Sequence, residues 1–297
     1  MLMPRRRLFS AAVLLALTGL PSLTKAVDAI QLVGSDLMGP AFRQAVVRFG
    51  ETNETDVMLN LAGTRLGREA MYPTRSQVGI FVTRDGNLPL AEGQAKFLLG
   101  YHTLVAVASK ELPVDQLSFS QLGAIFGAGE AATQLRWGEF GARGEWRGRA
   151  ILPKIVSGKG AIVHDLLSYA VLRSGRFKAT VEILPSRADV LAAVRANDGA
   201  LGIVPALAAG DADLKVLLLA VDEGNVAFGP TPENVHAGDY PIRLPIYVTF
   251  YREQARELTR FLRFLLSEEV AEALKADAVI PLPISVRNQQ VFDLEVL

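Results

Sequence analysis

The sequence predicts an α/β protein in which mainly parallel strands are flanked by helices. Short apolar runs typical of buried strands alternate along the chain with stretches whose apolar residues recur at helical spacing. Small-residue turns separate many of these segments. The sequence contains no internal repeat and no low-complexity linker, so any second lobe must form by the chain crossing back and forth.

Each predicted element rests on its own local pattern. In the first helix Phe42, Val46 and Phe49 share one face, and in a later one Ser120 is a cap candidate. The predicted strands are 29–33, 57–61, 78–82, 101–109, 201–204 and 246–251. The predicted helices are 39–49, 63–71, 120–126, 190–196 and 256–273.

The N-terminus has the character of a secretory signal peptide. Arg5, Arg6 and Arg7 precede an apolar run over 8–17, and Thr24-Lys25-Ala26 places small residues where signal peptidase cleaves. The apolar run is too short for the roughly 20 residues of a spanning helix. We therefore expect cleavage after residue 26 and a periplasmic protein, with the Sec or Tat route open.

Composition excludes several function classes. The 297 residues are 50% hydrophobic and 21% charged, as in globular proteins, and contain no cysteine. Disulfides, thiolate metal sites and a cysteine nucleophile are therefore excluded. Removal of residues 1–26 deletes four basic residues and no acidic ones, leaving 27 basic against 31 acidic residues. A mildly acidic protein is a poor candidate for binding nucleic acid.

One turn has the character of an anion site. In the run 151–167, a strand-like segment passes through Ser157-Gly158-Lys159-Gly160 into a helical pattern. Such a turn leaves backbone N–H groups pointing outward, reinforced by the helix dipole. Two other turns in the chain have the same character, which favours an anion-binding cleft over a catalytic one.

Seven segments carry a family resemblance by their order and spacing. They are GSDLM (34–38), AGTRLG (62–67), VGIFVTR (78–84), SFSQLGAIFGAGEAATQLRWGEF (118–140), NDGALGIVPA (197–206), TPENVHAGDYPIRLPIYV (231–248) and FLRFLLSEE (261–269). Over 31–282 the chain resembles the phosphate-binding components of bacterial ABC importers, which have the type II periplasmic binding protein fold.

The resemblance implies two α/β lobes with the ligand between them. Lobe one would comprise 27–100 plus 250–297 and lobe two 101–249, with the strands at Tyr101 and Ile246 crossing between them. A monomer would deliver a small oxyanion to an ABC permease in the inner membrane, without a cofactor. The implied ligand-binding residues are Ser35, Asp36, Thr64, Arg65, Thr83, Arg84, Lys154, Ser157, Gly158 and Lys159.

Several positions depart from the family's ligand loops. Leu37 and Ala62 stand where the family has hydroxyl residues, and Arg65 and Lys159 add cations. Lys154 replaces an arginine, which exchanges a bidentate fork for a point charge. A different oxyanion, or an anionic organic ligand, therefore stays open beside phosphate.

The implied ligand residues also have ordinary structural interpretations. Ser35 and Asp36 are suited to capping the following helix, and Gly158 to turn geometry. A carboxylate at Asp36 would repel a dianion unless the two share a proton. Arg65 and Lys159 would be solvated surface charges. Arg84, at the end of a strand, is the best single cationic contact.

An enzyme is not expected. The sequence has no G-x-S-x-G elbow, H-E-x-x-H pair or P-loop, and its three histidines lack metal-ligand spacing. The favoured prediction is an exported binding protein for a small oxyanion, most simply phosphate. The alternatives are a degenerate relative acting as an envelope sensor or adhesion partner, and, third, a hydrolase of phosphorylated small molecules.

Overall fold

A computed structural model describes residues 29–72, 77–83, 87–128, 134–156, 162–173, 175–206 and 211–296. The predicted signal peptide at 1–26 lies outside these residues. Across the described part of the chain strands and helices alternate, which confirms the α/β fold class.

The strands are β1 (Ile30–Gly34), β2 (Val57–Asn60), β3 (Gln77–Val82), β4 (Gln94–Ser109), β5 (Gln116–Ser118), β6 (Leu152–Val156), β7 (Glu182–Leu184), β8 (Ala200–Pro205), β9 (Leu214–Ala220), β10 (Arg243–Tyr251) and β11 (Ile280–Pro281). The helices are α1 (Pro40–Thr52), α2 (Thr64–Glu69), α3 (Phe119–Phe126), α4 (Ile162–Ala170), α5 (Arg187–Ala196), α6 (Pro232–Ala237), α7 (Ala255–Leu265), α8 (Glu268–Ala276) and α9 (Ile284–Glu295). Short 3-10 turns lie at Trp137–Phe140, Gly144–Gly148 and Arg252–Gln254.

Two groups of parallel strands are joined by antiparallel ones. The main path of the sheet runs β2-β1-β3-β10-β4-β8-β6-β7. Strand β1 pairs in parallel with β2 and β3, and β6 pairs in parallel with β7 and β8. The parallel pairing predicted from the sequence is therefore present at both ends of the path, while the middle of the path is antiparallel.

Strand β4 belongs to both halves of the sheet. Its first part pairs with β10 and β11, and its second part, from Leu104 onward, pairs with β8 and β9. Strand β10 lies against β3 and the first part of β4 along its length, so the chain returns from the second half before Arg243. The division into lobes at residues 100 and 249 stays a prediction.

Each half has its own apolar core. In the first half Phe42, Ile80, Phe250 and Phe261 are buried together, and Phe49 contacts Phe264 with ring centroids 4.5 Å apart. The core of the second half includes Trp137, Phe126, Tyr240 and Ile155. Tyr101 and Leu104 of β4 belong to this second core, whereas Phe97 and Leu99 of the same strand belong to the first.

The prediction of one continuous helix over 256–273 was wrong. The structure ends α7 at Leu265 and starts α8 at Glu268. Ser267 between them adopts an extended conformation, and its hydroxyl accepts a hydrogen bond from the Val270 N–H at 3.4 Å. A serine N-cap followed by two acidic residues starts a new helix, and this local signature outweighs the continuous apolar face.

Helix α1, which follows the first candidate ligand loop, is capped from a distant part of the chain. Its own N-cap, Gly39, has no side chain to offer. Asp277, at the end of α8, accepts hydrogen bonds from the Ala41 N–H at 3.0 Å and the Phe42 N–H at 2.8 Å. The carboxylate satisfies two N–H groups that the helix cannot satisfy itself and complements the helix dipole.

We expect Asp277→Ala to lower the free energy of unfolding by about 2 kcal/mol, because two charge-assisted bonds at a helix N-terminus are lost. Asp277→Asn keeps an acceptor of the same size and should lose less. Urea unfolding of the three proteins measures the difference. Equal stability of Asp277→Ala and the wild type would contradict a role for this carboxylate as a cap.

Candidate functional site

Three segments that are distant in the chain meet at the carboxyl end of the first group of parallel strands. The Ser35 N–H donates to the Ile80 carbonyl at 2.8 Å, and the Gly63 N–H donates to the Gly34 carbonyl at 2.7 Å. The Val82 N–H donates to the Thr64 hydroxyl at 3.2 Å. The loops after β1 and β2 and the end of β3 are therefore held together by hydrogen bonds.

Two glycines make this close approach possible. Gly34 has φ +136°, and a Cβ on it would lie 2.0 Å from the Ile80 carbonyl oxygen. A Cβ on Gly67 of α2 would lie 2.4 Å from the Gly34 Cα. Because the obstacles are backbone atoms, any side chain at either position would separate the loops.

Three of the predicted ligand residues place hydroxyl groups in this region. The buried Ser35 hydroxyl accepts a hydrogen bond from the Leu37 N–H at 3.2 Å, while Thr64 accepts from Val82. A hydroxyl that accepts through its oxygen still has its hydrogen to donate. The Thr83 hydroxyl oxygen is buried and has no hydrogen-bond partner among the described residues.

Asp36 lies beside the same loops. It is exposed, and one of its carboxylate oxygens is 4.0 Å from the position that a Cβ on Gly63 would take. The predicted capping of α1 by Ser35 or Asp36 was wrong, because the N–H groups of Ala41 and Phe42 donate to Asp277. The Ser35 hydroxyl instead accepts from the Leu37 N–H in a local turn before the helix.

The structure does not bring the predicted cations Arg65 and Lys154 into this cluster as free charges. The Arg65 side chain is 77% exposed and pairs with Glu69 at 2.8 Å on the surface of α2. Lys154 is buried in the middle of β6 and forms an ion pair with Glu182 of β7. Their predicted ligand contacts stay predictions, and each side chain already has a carboxylate partner.

The remaining predicted ligand residues, Arg84, Ser157, Gly158 and Lys159, lie outside the described residues. The strand that leads to three of them is described, however. Strand β6 ends at Val156, level with Leu184 at the end of its parallel neighbour β7. Strand β6 therefore ends at the carboxyl edge of the second group of parallel strands.

The two sets of carboxyl ends face each other across the middle of β4. Val82, the last paired residue of β3, is opposite Ile246 of β10, which is opposite Gly100 of β4. In the second half Pro205, the last residue of β8, is opposite Leu104. Four residues of extended chain correspond to about 13 Å, which is the width of a crevice for a small ligand. Open α/β sheets characteristically bind ligands at such a place.

The stretch of β4 between Gly100 and Leu104 carries three polar side chains, all of them buried. The Tyr101 hydroxyl lies 3.1 Å from Nδ1 of His236, and the Thr103 hydroxyl donates to the Ile242 carbonyl. His102 Nε2 is buried without a partner among the described residues. Burial lowers the pKa of His102 to about 4 and raises the pKa of Tyr101.

Sequence reasoning considered His102 only as a metal ligand and did not include it in the site. Its sequence context, an apolar strand, gives no sign that its ring nitrogen lacks a partner.

Within the described ranges, histidine, aspartate and glutamate form no group of three that could hold a metal ion. In the same part of the chain, none of the helices has the length and apolarity needed to cross a bilayer.

No protein-family model matches the chain, and no curated protein matches it. Solved structures do match. A possible phosphate binding protein from Planctomyces limnophilus has a TM-score of 0.65 at 19% identity, with 90% of this chain and 97% of that one covered. PstS from Borrelia burgdorferi has a TM-score of 0.62 at 15% identity, with 86% of this chain and 100% of that one covered. An ABC-type phosphate transport receptor from Vibrio cholerae has a TM-score of 0.59 at 19% identity, with 84% of this chain and 99% of that one covered. The chain has the type II periplasmic binding protein fold.

Proposed function

We propose, on the premise of this fold, that the chain is an exported solute-binding protein that captures a small oxyanion between its two halves. Phosphate is the first candidate ligand, and an ABC permease in the inner membrane is the proposed partner. The protein would act in the periplasm as a monomer and without catalysis. Closure around the ligand would replace its hydration shell with fixed donors, and the permease would bind the closed form.

The observation that carries the proposal is the convergence of hydroxyl groups at the carboxyl end of β1, β2 and β3. Ser35, Thr64 and Thr83 come from segments up to 48 residues apart, yet hydrogen bonds hold these segments in one cluster. The buried Thr83 hydroxyl without a partner marks a position where a ligand oxygen would satisfy a donor. Fixed neutral donors suit an oxyanion because they need not reorganise when the charge arrives.

The α1 N-terminus does not supply donors to this site, because Asp277 already accepts from Ala41 and Phe42. The positive charge must come from elsewhere, since Arg65 and Lys154 have carboxylate partners. We therefore assign the cationic contact to Arg84, which follows Thr83 at the end of β3. The turn at Ser157, Gly158 and Lys159 would contact the ligand from the second half.

The second candidate function is that of a degenerate relative that serves as an envelope sensor or adhesion partner. The pairing of Arg65 with Glu69 and of Lys154 with Glu182 favours it, because neither of these two predicted cations is then free to contact a ligand. Leucine at position 37 and alanine at position 62, in place of hydroxyl residues, point the same way.

Calorimetric titration of residues 27–297 with phosphate, sulfate, molybdate and a phosphonate separates these functions. Capture for transport requires micromolar or tighter binding of one of these anions. Absence of binding to all four would overturn the proposal and leave the sensor or scaffold function. Release of phosphate from a generic ester would instead indicate a hydrolase.

We expect Thr83→Val to weaken anion affinity by about tenfold or more, because a hydrogen bond to a charged ligand contributes about 1.5–3 kcal/mol. Valine has nearly the same shape and removes a buried hydroxyl that lacks a partner. Thermal stability without ligand should therefore stay the same or rise. The measurements are the same titration and a melting curve.

Thr259→Val is a matched control, since the Thr259 hydroxyl donates to the Ala255 carbonyl at 2.7 Å within α7, away from the crevice. It should leave anion affinity unchanged. Wild-type affinity in Thr83→Val would remove this hydroxyl from the proposed site.

A further inference from the structure

His102 occupies the midpoint of the crevice floor by strand register. It is opposite Leu244 of β10. The position of β4 opposite Ile246, where β3 ends, lies two residues earlier. His102 is also two residues from Leu104, where β8 ends. His102 is therefore equally far, along β4, from the carboxyl ends of the parallel strands in both halves.

His102 points to the opposite face of β4 from Tyr101 and Thr103, and it also differs from these two neighbours in its hydrogen bonds. Tyr101 and Thr103 have protein partners in His236 and Ile242. His102 is 8% exposed, and its Nε2 has no partner among the described residues. An apolar residue would fill a buried strand position without this penalty, so the unpaired nitrogen requires an explanation.

We propose that His102 is a ligand-contacting residue of the oxyanion site, forming the floor against which the captured anion rests. This inference rests on the proposed function and adds a residue from the strand that both halves share. A ligand held on that strand would contact the first half, the second half and their connection at once. The contact would thus couple occupancy of the site to the relative position of the halves.

The imidazole would act as a neutral group. Because burial lowers its pKa to about 4, the ring carries one N–H and one lone pair at neutral pH. It can donate to an anion oxygen or accept from a protonated one, according to its tautomer. It adds a hydrogen bond to the site without adding a charge.

The test compares His102→Leu and His102→Gln with the wild type by phosphate titration and thermal melting. Glutamine places an amide near the position of Nε2 and should keep affinity within about threefold, whereas leucine should lose about tenfold or more. Leucine should not lower the melting temperature, because it removes a buried polar atom without a partner. Unchanged affinity in both variants would overturn the inference and indicate that a buried water satisfies Nε2.

A second measurement does not depend on the variants folding. In wild-type protein labelled with ¹⁵N-histidine, saturation with phosphate should shift the His102 ring nitrogen signals and leave those of exposed His164 in place. Static His102 signals in a protein that binds phosphate would overturn the inference alone. A wild type that binds none of the four anions would overturn the proposed function and this inference together.

Discussion

Gly34→Ala should lower the free energy of unfolding by about 4 kcal/mol and the melting temperature by roughly 10 °C. At φ +136° an L-residue is strained by about 1–3 kcal/mol. The new Cβ would also lie 2.0 Å from the Ile80 carbonyl oxygen, and overpacking costs about 1–3 kcal/mol more. The β1 loop must move away from β3 to relieve this contact.

The same substitution should weaken anion binding by at least about tenfold. Movement of the loop breaks the bond from the Ser35 N–H to the Ile80 carbonyl, and with it the position of the Ser35 hydroxyl relative to Thr83. Urea unfolding and anion titration measure the two effects separately.

Gly148→Ala is the matched control. Gly148 ends a 3-10 turn of the second half, and a Cβ there would meet nothing within 4 Å. Its stability should stay within about 0.5 kcal/mol of the wild type. If Gly34→Ala behaved like Gly148→Ala, the described approach of the β1 loop to β3 would be wrong.

Trp137→Ala should destabilise the second half by about 3–5 kcal/mol. Trp137 is fully buried, packs edge to face on Phe140 and donates from Nε1 to the Gly199 carbonyl at 3.1 Å. Alanine leaves a large cavity and removes one of two hydrogen bonds to the Gly199 carbonyl, which also accepts from the Leu152 N–H at 3.1 Å. Because β8 ends at the crevice, anion affinity should also fall.

Two related variants test this mechanism. Trp137→Phe fills most of the volume but loses the hydrogen bond, so we expect a loss of about 1–2 kcal/mol. Trp146→Ala should cost less than Trp137→Ala, because Trp146 is 8% exposed and is covered by the Arg149 guanidinium at 4.1 Å from its ring centroid. Hydrogen exchange should show β6 and β8 losing protection before β1 and β3. A loss below about 1 kcal/mol in Trp137→Ala would contradict the central role of this side chain.

The sequence predicted the elements whose signals are local. The strand at 78–82 and the helix at 120–126 lie within β3 and α3, because apolar periodicity is encoded within a few residues. The predicted Ser120 cap was wrong: Ser118 is the N-cap, and its hydroxyl accepts a hydrogen bond from the Gln121 N–H at 3.2 Å. The same local reasoning failed at Ser267, where one apolar face hid a helix break. For β4 it predicted the part from Tyr101 onward and missed the seven residues before it.

The candidate site shows a similar division. The turns at Ser35 and Thr64 and the strand end at Thr83 were predicted from the resemblance of their segments to the family's ligand loops. Their convergence required Gly34 and Gly67, whose role depends on backbone atoms of other segments. The sequence did not reveal that Lys154 has Glu182 as its partner.

By itself, the sequence determined the α/β class, the alternation of strands with helices and the placement of hydroxyl residues at strand ends. Tertiary structure alone decided that Asp277 caps α1 from 236 positions away, that β4 is shared by both halves, and that His102 lies unpaired between them. The physical reason is that periodicity and turn chemistry act over a few residues. Register, burial and the partner of a polar atom depend on chain segments that meet only after folding.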